Sequence, residues 1–450
     1  MRRGYIFAAI LAFILPVGAQ AQLKISYFVD RSLQRSSLNP AFSPESNYFH
    51  IPVTSGVEVG EYGNLSLSDL LYPKNGHLYT FLNSNVSTQE VMQNLDSDIA
   101  SRTQVNTQIL GMGTHIGESL YLTMGVDVRA DVNMKLPKDM FIALKQGATA
   151  EDGAVSFSYK GAAADVLTLA QLTAGLKVDM SAFVPGFSFG VRAKYAVIAA
   201  AVQAQIDKGE VYMGSDSWNI RTEGSGYYAA QGLKYTAEKG IYRVGKLGTA
   251  GGGILFDLGF DYTLNLPSDA FSSISLSASV LDFGSLTYKG GAMNPYNISG
   301  DKSYEGVREL DFSDNVVNQI SRTLHELSQL AEISESQAKD NLLYKLTPTV
   351  YAGAQFSFWK DRFSTGLLYS KTSFNRDFTM SANLKLAAFN LAASYSFVAA
   401  KAFGCYLGII PKKGLAVFVG SDYIPTRFTP QYIPIDEMNI NFRGGLSFVF

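Results

Sequence analysis

The residues best suited to chemistry in this chain are scattered along it, and only a fold that gathers distant segments could bring them together. The four histidines, His50, His77, His115 and His325, form neither an HExxH pair nor any other close grouping. A membrane hydrolase needs a histidine beside serine or aspartate on one rim. Here His115 falls in a predicted tight turn and His325 on a predicted helix, and both are expected to be solvated or hydrogen-bonded. Cys405 is the single cysteine, which excludes an internal disulfide and a cysteine-based structural metal site. Gly245-Lys246 precedes Gly251-Gly252-Gly253, the reverse of a phosphate-binding loop, and is read as a flexible lead-in to a strand. No catalytic, cofactor-binding or metal-ligating set is expected, and the chain is read as a non-enzyme that takes no cofactor.

The polar residues that do share a pattern are charged. Asp127, Arg129, Asp131, Lys177, Arg192, Lys194, Asp257, Asp261, Lys385 and Arg443 all fall on the polar side of alternating segments. Two readings stay open. The set lines a permeation path, or it is a self-satisfying network of opposite charges that fills and rigidifies an interior. The mixture of signs favours the second.

The segments that position these charges have a period of two. From Ser119 to Val132, Leu120, Leu122, Met124, Val126, Val128, Ala130 and Val132 alternate with Tyr121, Thr123, Gly125, Asp127, Arg129 and Asp131. Successive side chains of a strand point to opposite faces, so one face is apolar and the other polar. The pattern recurs in Phe187–Val197, in Phe256–Thr263, in Ser273–Val280 and in Tyr351–Phe358. A soluble sandwich also alternates. These runs, however, approach the ~9–11 residues of a membrane-spanning strand rather than the ~5–6 usual in soluble sheets. Connections alternate as well. Tight turns lie near residues 115–117, 185–186, 266–269, 360–361, 387–388 and 411–414. The excursions between them, about 60–102, 132–165, 199–252, 283–346 and 422–437, are longer, an asymmetry typical of outer-membrane barrels. The connections near Asn375-Arg376 and Ala400-Lys401 are short for outer loops. Six tight hairpins, a first strand near Phe49 to Val59 and a last strand predict about fourteen strands. Glu210 to Ile220 and Gly226 to Tyr235 offer further extended segments.

Composition agrees. Charged residues are 17% and aromatic residues 12%, with 25 Tyr, 29 Phe and 41 Gly, a mixture suited to strands. A net charge of -2 gives no basic face for nucleic acid. Arg2-Arg3, the apolar run Ile6–Val17 and Ala19-Gln20-Ala21 read as a secretory signal peptide over residues 1–21, cut before Gln22. The apolar run is shorter than the ~20 residues of a spanning helix. Helices are expected only in the long connections: Ser87 to Ile99 with a Ser87–Glu90 capping box, Pro137 to Gly147, and residues 311–340 on the period of Phe312, Val316, Ile320, Leu324 and Leu327. The last of these is a helix packed on the rim, or a lid or lumen-filling helix with an interaction face.

The chain closes on an amphipathic strand. Ile440, Phe442, Gly444, Leu446, Phe448 and Phe450 share one face, and Asn441, Arg443, Gly445 and Ser447 the other. A terminal strand ending on Phe448 and Phe450 resembles the signal that the outer-membrane assembly machinery recognises. Leu38-Asn39-Pro40-Ala41-Phe42 resembles the Asn-Pro-Ala element of FadL-like and PorV-like barrels. Leu136-Pro137-Lys138-Asp139, Phe256-Asp257-Leu258-Gly259, Leu281-Asp282-Phe283-Gly284 and Asn441–Phe448 are similar to motifs of an uncharacterised, domain-of-unknown-function outer-membrane family of Bacteroides-type bacteria. The resemblance implies an all-β, FadL-like transmembrane antiparallel barrel over residues 49–450. It also implies a lumen plug over residues 22–48 that carries Asn39, Pro40 and Ala41. Its implied partners are outer-membrane lipids, the assembly machinery, and a small hydrophobic ligand or an exported protein. The expected place is the outer membrane of a Gram-negative cell. Transport of a small solute and service as a scaffold for secreted proteins both remain open.

Overall fold

Alternating apolar and polar residues can be satisfied by closing one sheet on itself, and the chain does so. The computed structural model describes residues 23–50, 57–95, 98–146, 154–214, 218–229, 233–236, 241–244, 248–268, 270–304, 332–373, 375–399, 401–435, 437, 439 and 441–450. Fourteen strands make the wall: β1 in two pieces (Tyr48–His50 and Val57–Gly63), β2 (Ile99–Ile116), β3 (Leu120–Leu136), β4 (Ala163–Asp179), β5 (Phe187–Gly214), β6 (Gly251–Asn265), β7 (Phe271–Tyr288), β8 (Thr349–Phe358), β9 (Phe363–Lys371), β10 (Arg376–Leu386), β11 (Phe389–Ser396), β12 (Phe403–Ile409), β13 (Gly414–Ile424) and β14 (Asn441–Val449). Each pairs antiparallel with the next. The ring closes where β14 meets β1, with Phe49 opposite Phe448 and Val57 opposite Gly444. Closure leaves no free edge in the wall, which is what a strand structure in lipid requires.

The burial pattern is inverted relative to a soluble protein. Leu172, Phe189, Tyr195, Ile254, Leu258, Leu276, Leu391, Phe442 and Phe448 are exposed on the outer face. Ser277, Ser279, Gln355, Asp377, Asn383, Asp422 and Ser447 are buried on the inner one. Water would penalise such an apolar belt, whereas hydrocarbon favours it. Among the described residues, no helix is long and apolar enough to cross a membrane.

The short turns fall at one end, as expected. The opposite end carries the long connections, including the two short ones at 372–375 and 397–402. The strands nevertheless run further into the excursions than their alternation suggests. β3 continues to Leu136, β4 begins at Ala163 and β7 reaches Tyr288. The largest difference is in 199–252, where β5 continues for 28 residues in all. Its upper half pairs with Trp218–Ala229, which pairs with Met293–Tyr304, which pairs with Glu332–Glu335. β-bulges in β5, opposite Thr168/Leu169 and Glu223/Gly224, shift its alternation. That shift hides the continuation from a period-two reading. At about 3.3 Å per residue, β5 spans roughly 90 Å along the strand, far more than a bilayer crossing needs.

The loop helices agree with the sequence at two sites. Thr88–Asn94 is helical with Ser87 as N-cap, and Ser87 and Glu90 form the expected capping box. Lys138–Gln146 is the second helix. They share a small core of Leu70, Phe81, Val91 and Phe141, so the 64–98 excursion is a folded cap. The anticipated 311–340 helix, with His325, lies outside the described residues up to 331. Beyond that, Glu332–Glu335 is a strand, because it adds to the sheet edge at Ile298. His115 belongs to the end of β2 rather than to the turn, and Gly251–Gly253 are wedged within β6 rather than forming a loose lead-in. The signal-peptide segment 1–21, Gln22, Gly147, Gly245-Lys246 and Ile440 also fall outside the described residues.

Candidate functional site

The lumen is occupied by the chain's own N-terminal segment. Residues 23–47 run inside the barrel as a short 3₁₀ turn (Lys24–Phe28), a single helical turn (Arg35–Leu38) and extended links. The segment has its own apolar anchors. Tyr27, Phe28, Leu38 and Phe42 pack on Leu281, Tyr351 and Leu368. Leu23, Ile25 and Val29 pack on Ala392, Tyr406 and Phe418. Each such side chain, fully buried, contributes about 1.5–3 kcal/mol.

Asn39 is fully buried at the centre of this packing. Its Nδ2 lies within reach of the backbone carbonyls of Phe260 (3.2 Å) and Ala278 (3.3 Å) and of the Tyr27 hydroxyl (3.3 Å). Its Oδ1 accepts the Ala41 N–H at 2.9 Å, which turns the chain. The wall makes room with glycine. A Cβ on Gly259 would lie 2.0 Å from Asn39 Oδ1, and one on Gly190 would lie 2.1 Å from the Pro40 carbonyl. Thus Asn39 and Pro40 meet Gly259 of the Phe256–Gly259 motif directly, a contact between segments over two hundred residues apart, and Pro40 and Ala41 meet Gly190. Ser279 Oγ donates to the Leu38 carbonyl at 2.6 Å, Lys177 Nζ to Ser43 Oγ at 3.0 Å, and Arg192 to the Ser36 carbonyl.

The segment is pinned at both ends. The backbone N–H of Leu23 donates to Glu58 (3.0 Å) and those of Lys24 and Ile25 to Asp422 (2.6 and 2.8 Å), while Lys24 Nζ pairs with Asp377. At the short-turn end Glu45 pairs with Arg31 at 2.8 Å and with Lys385. Partial burial alone would raise the Glu45 carboxyl. The hydrogen bonds and charge of Lys385, then of Arg31, outweigh it and hold the group below its ordinary 4.5.

The inward charges form a chain across the wall. Arg192 contacts Asp257 (3.4 Å), and Lys194 bridges Asp257 (2.8 Å) and Asp282 (2.7 Å). Arg129 bridges Asp282 (2.8 Å) and Asp131 (2.8 Å), and Asp131 meets Arg102 (3.4 Å). Cation and carboxylate alternate throughout. Asp257 also accepts the Asp282 N–H at 2.9 Å, at a β-bulge where Asp282 adopts φ 58°. The Leu281–Gly284 motif is therefore this bulge. Arg443 pairs with Glu58 at 3.2 Å, and Asp261 is held by Ser275 (2.6 Å) and Thr263 (3.2 Å). Above the charges, Ile198, Leu255, Leu286 and Tyr288 form an apolar layer on the inner wall.

Of the ten sequence-derived polar residues, the ion-pair chain joins Arg129, Asp131, Arg192, Lys194 and Asp257. Lys177 and Lys385 instead hold the N-terminal segment, and Asp127 makes no direct hydrogen bond or salt bridge among the described residues. Sequence reasoning missed Lys24, Glu58, Arg102, Asp282, Asp377 and Asp422. Asp282 stood in a quoted motif, while the others gave no local signal because their partners are distant. Phe448 and Phe450 point outward at the short-turn end. No group of residues able to hold a metal is present among those described.

Between the segment and the β1–β5 wall lies a polar cavity of about 80 Å³. Gln34, His50, Asn106, Asp127, Gln171 and Arg443 are among the residues that line it. Gln34 Nε2, Gln171 Nε2, Arg443 Nε and Asn106 Oδ1 have no protein partner. An unmet buried polar group typically costs about 1–3 kcal/mol.

No curated protein matches the sequence. Among solved structures, the chain is similar to the toluene transporter TbuX of Ralstonia pickettii at 8% identity and a TM-score of 0.36, over 97% of this chain and 99% of that one. It is similar to a mutant of the Rh. blastica porin at 11% identity and a TM-score of 0.22, over 90% and 99% respectively. The fold assignment rests on the strand pairing itself. Residues 40–422 match the model of a family described only as "Family of unknown function (DUF5723)" and take in Pro40-Ala41, the Phe256–Gly259 and Leu281–Gly284 motifs and most of the wall, so the chain belongs to that family.

Proposed function

We propose that this protein is an exported outer-membrane barrel that passes a small solute without chemical change, along a route controlled by its N-terminal segment. The observation that carries the reading is the inverted burial of a closed fourteen-strand wall whose lumen holds residues 23–47. An apolar belt suits lipid, and a hydrogen-bonded but separate insert can shift without unfolding the wall. Cleavage before Gln22, a Gram-negative host of Bacteroides type, and recognition of Phe448 and Phe450 by the assembly machinery belong to the same proposal. Asn39, Pro40 and Ala41 act in it as the docking turn of the plug. The lining of the cavity favours a polar solute over the hydrophobic one that FadL-like resemblance suggests. Liposome swelling tests the reading. Wild-type protein is expected to admit solute slowly, and the Asp377→Ala/Asp422→Ala variant, which releases the N-terminal anchor, to admit it faster. Absence of swelling for both would overturn passage.

One observation favours a second reading, a scaffold for an exported protein. The upper part of the tall β5 sheet carries exposed cross-strand ion pairs, Lys208–Glu223 (2.7 Å) and Arg221–Asp301 (3.1 Å), and so presents a solvated surface beyond the apolar belt. Stoichiometric co-purification of one exported protein, lost on charge reversal of Lys208 and Arg221, would support it over passage.

A further inference from the structure

We propose that the cavity between residues 33–37 and the β1–β5 wall is a binding site for a small, uncharged, polyhydroxylated solute. The inference deepens the passage reading and rests on it. Three observations define the ligand.

The first is the set of unmet groups. Gln34, Gln171 and Arg443 are each more than nine-tenths buried, yet Gln34 Nε2, Gln171 Nε2 and Arg443 Nε lack an acceptor. Asn106 Oδ1 lacks a donor, and the Asp127 carboxylate has no direct protein partner among the described residues. All five side chains line the same cavity. Buried polar groups in folded proteins are otherwise almost always satisfied. A ligand that completes this set must both donate and accept. A hydroxyl does both, whereas an ammonium only donates and a carboxylate only accepts.

The second is charge. The four cations Arg102, Arg129, Arg192 and Lys194 face the three carboxylates Asp131, Asp257 and Asp282, which leaves one positive charge. Asp127 at the cavity wall brings the count to four against four, and Arg443 with Glu58 is a neutral pair. A charged ligand would unbalance the groups beside the cavity, which are already matched.

The third is size. A cavity of about 80 Å³ exceeds what a single water needs and suits a compact molecule of a few carbons. Thr123 and Thr173 add hydroxyls to the lining, and Gln34, Ser36 and Ser37 come from the N-terminal segment, so occupancy is coupled to its position.

The test is equilibrium dialysis of the full-length protein in detergent with labelled glycerol, erythritol, xylose and glucose, with glutamate and arginine as charged probes. Saturable binding of at least one neutral probe is expected, with no competition from the charged ones. Gln171→Leu and Asn106→Leu should each weaken it about tenfold, the loss of roughly one hydrogen bond. Leu172→Ala, on the outer face, should not change it. Thr173→Val serves as a smaller perturbation, and retained heat-modifiable migration verifies that each variant folds. Saturable binding of a charged probe overturns the proposal. So does binding of no probe while liposome swelling persists, which leaves passage standing and assigns the cavity to ordered water only. Loss of both binding and swelling overturns passage as well.

Discussion

At the scale of single residues, docking of the N-terminal segment depends on how closely its backbone approaches the wall. Gly259 and Gly190 exist where Asn39 and Pro40 touch β6 and β5. Gly259→Ala inserts a methyl 2.0 Å from Asn39 Oδ1 and 2.9 Å from Pro40 Cδ, and the hydrogen bonds that hold the Asn39 amide limit relief. Overpacking of this kind costs about 1–3 kcal/mol. The variant is therefore expected to unfold at lower denaturant and to expose residues 23–47 to protease, while Leu258→Ala, facing outward, exposes nothing. Glu45 sets a second, pH-dependent expectation. Its carboxyl is held below the ordinary 4.5 by Lys385 and Arg31. A depressed acid stabilises the docked state fully above its unfolded value and loses that contribution as pH falls through the folded one. Protease sensitivity of the segment should thus rise on acidification below about pH 4.5, the unfolded-state value. Glu45→Gln should already show the raised sensitivity at neutral pH. A flat profile in wild type would show that Glu45 pins nothing.

At the scale of elements, the bulge in β7 organises the charge chain. Asp282 carries φ 58°, pairs with both Lys194 and Arg129, and donates its N–H to Asp257. Asp282→Ala takes one of two carboxylate partners from each of two buried cations, Lys194 and Arg129, and disfavours the left-handed backbone, so a loss of about 1–3 kcal/mol is expected in denaturant unfolding. Asp282→Asn tolerates the backbone and keeps a hydrogen-bond acceptor, and should lose less. Equal losses would mean that charge alone, and not the bulge, matters. The comparison also shows what the sequence made legible. Strands such as Leu120–Leu136 could be read because a lipid-facing wall imposes a strict period of two. The Ser87–Glu90 cap could be read because both partners lie within one helical turn. The bulges in β5 and β7 insert one residue, flip the alternation and leave no compositional mark. Accordingly the length of β5 and the inward turn of Asp282 were not legible. Nor were the partners of Lys24 and Glu58, which depend on residues more than thirty positions away along the chain.

At the scale of the molecule, the barrel is a wall with its own filling. The ion-pair chain satisfies itself, which supports the rigidifying reading of the inward charges over an open ion-lined path. Residues 23–47 touch strands all round the wall, from Glu58 on β1, His115 on β2 and Lys177 on β4 to Asp377 on β10 and Asp422 on β13, so any solute passes beside or instead of this segment. Carriage of a solute, its polar character and the membrane that holds the barrel follow from that arrangement as proposals. Their common premise is that the N-terminal segment sits inside the wall. The direct measurement uses Leu38, fully buried in the lumen, as a single reporter. In a Cys405→Ser background, Leu38→Cys protein in isolated outer membranes is treated with a membrane-impermeant maleimide. Negligible labelling is expected in the native barrel and complete labelling after denaturation. Rapid labelling of the native protein would contradict that premise.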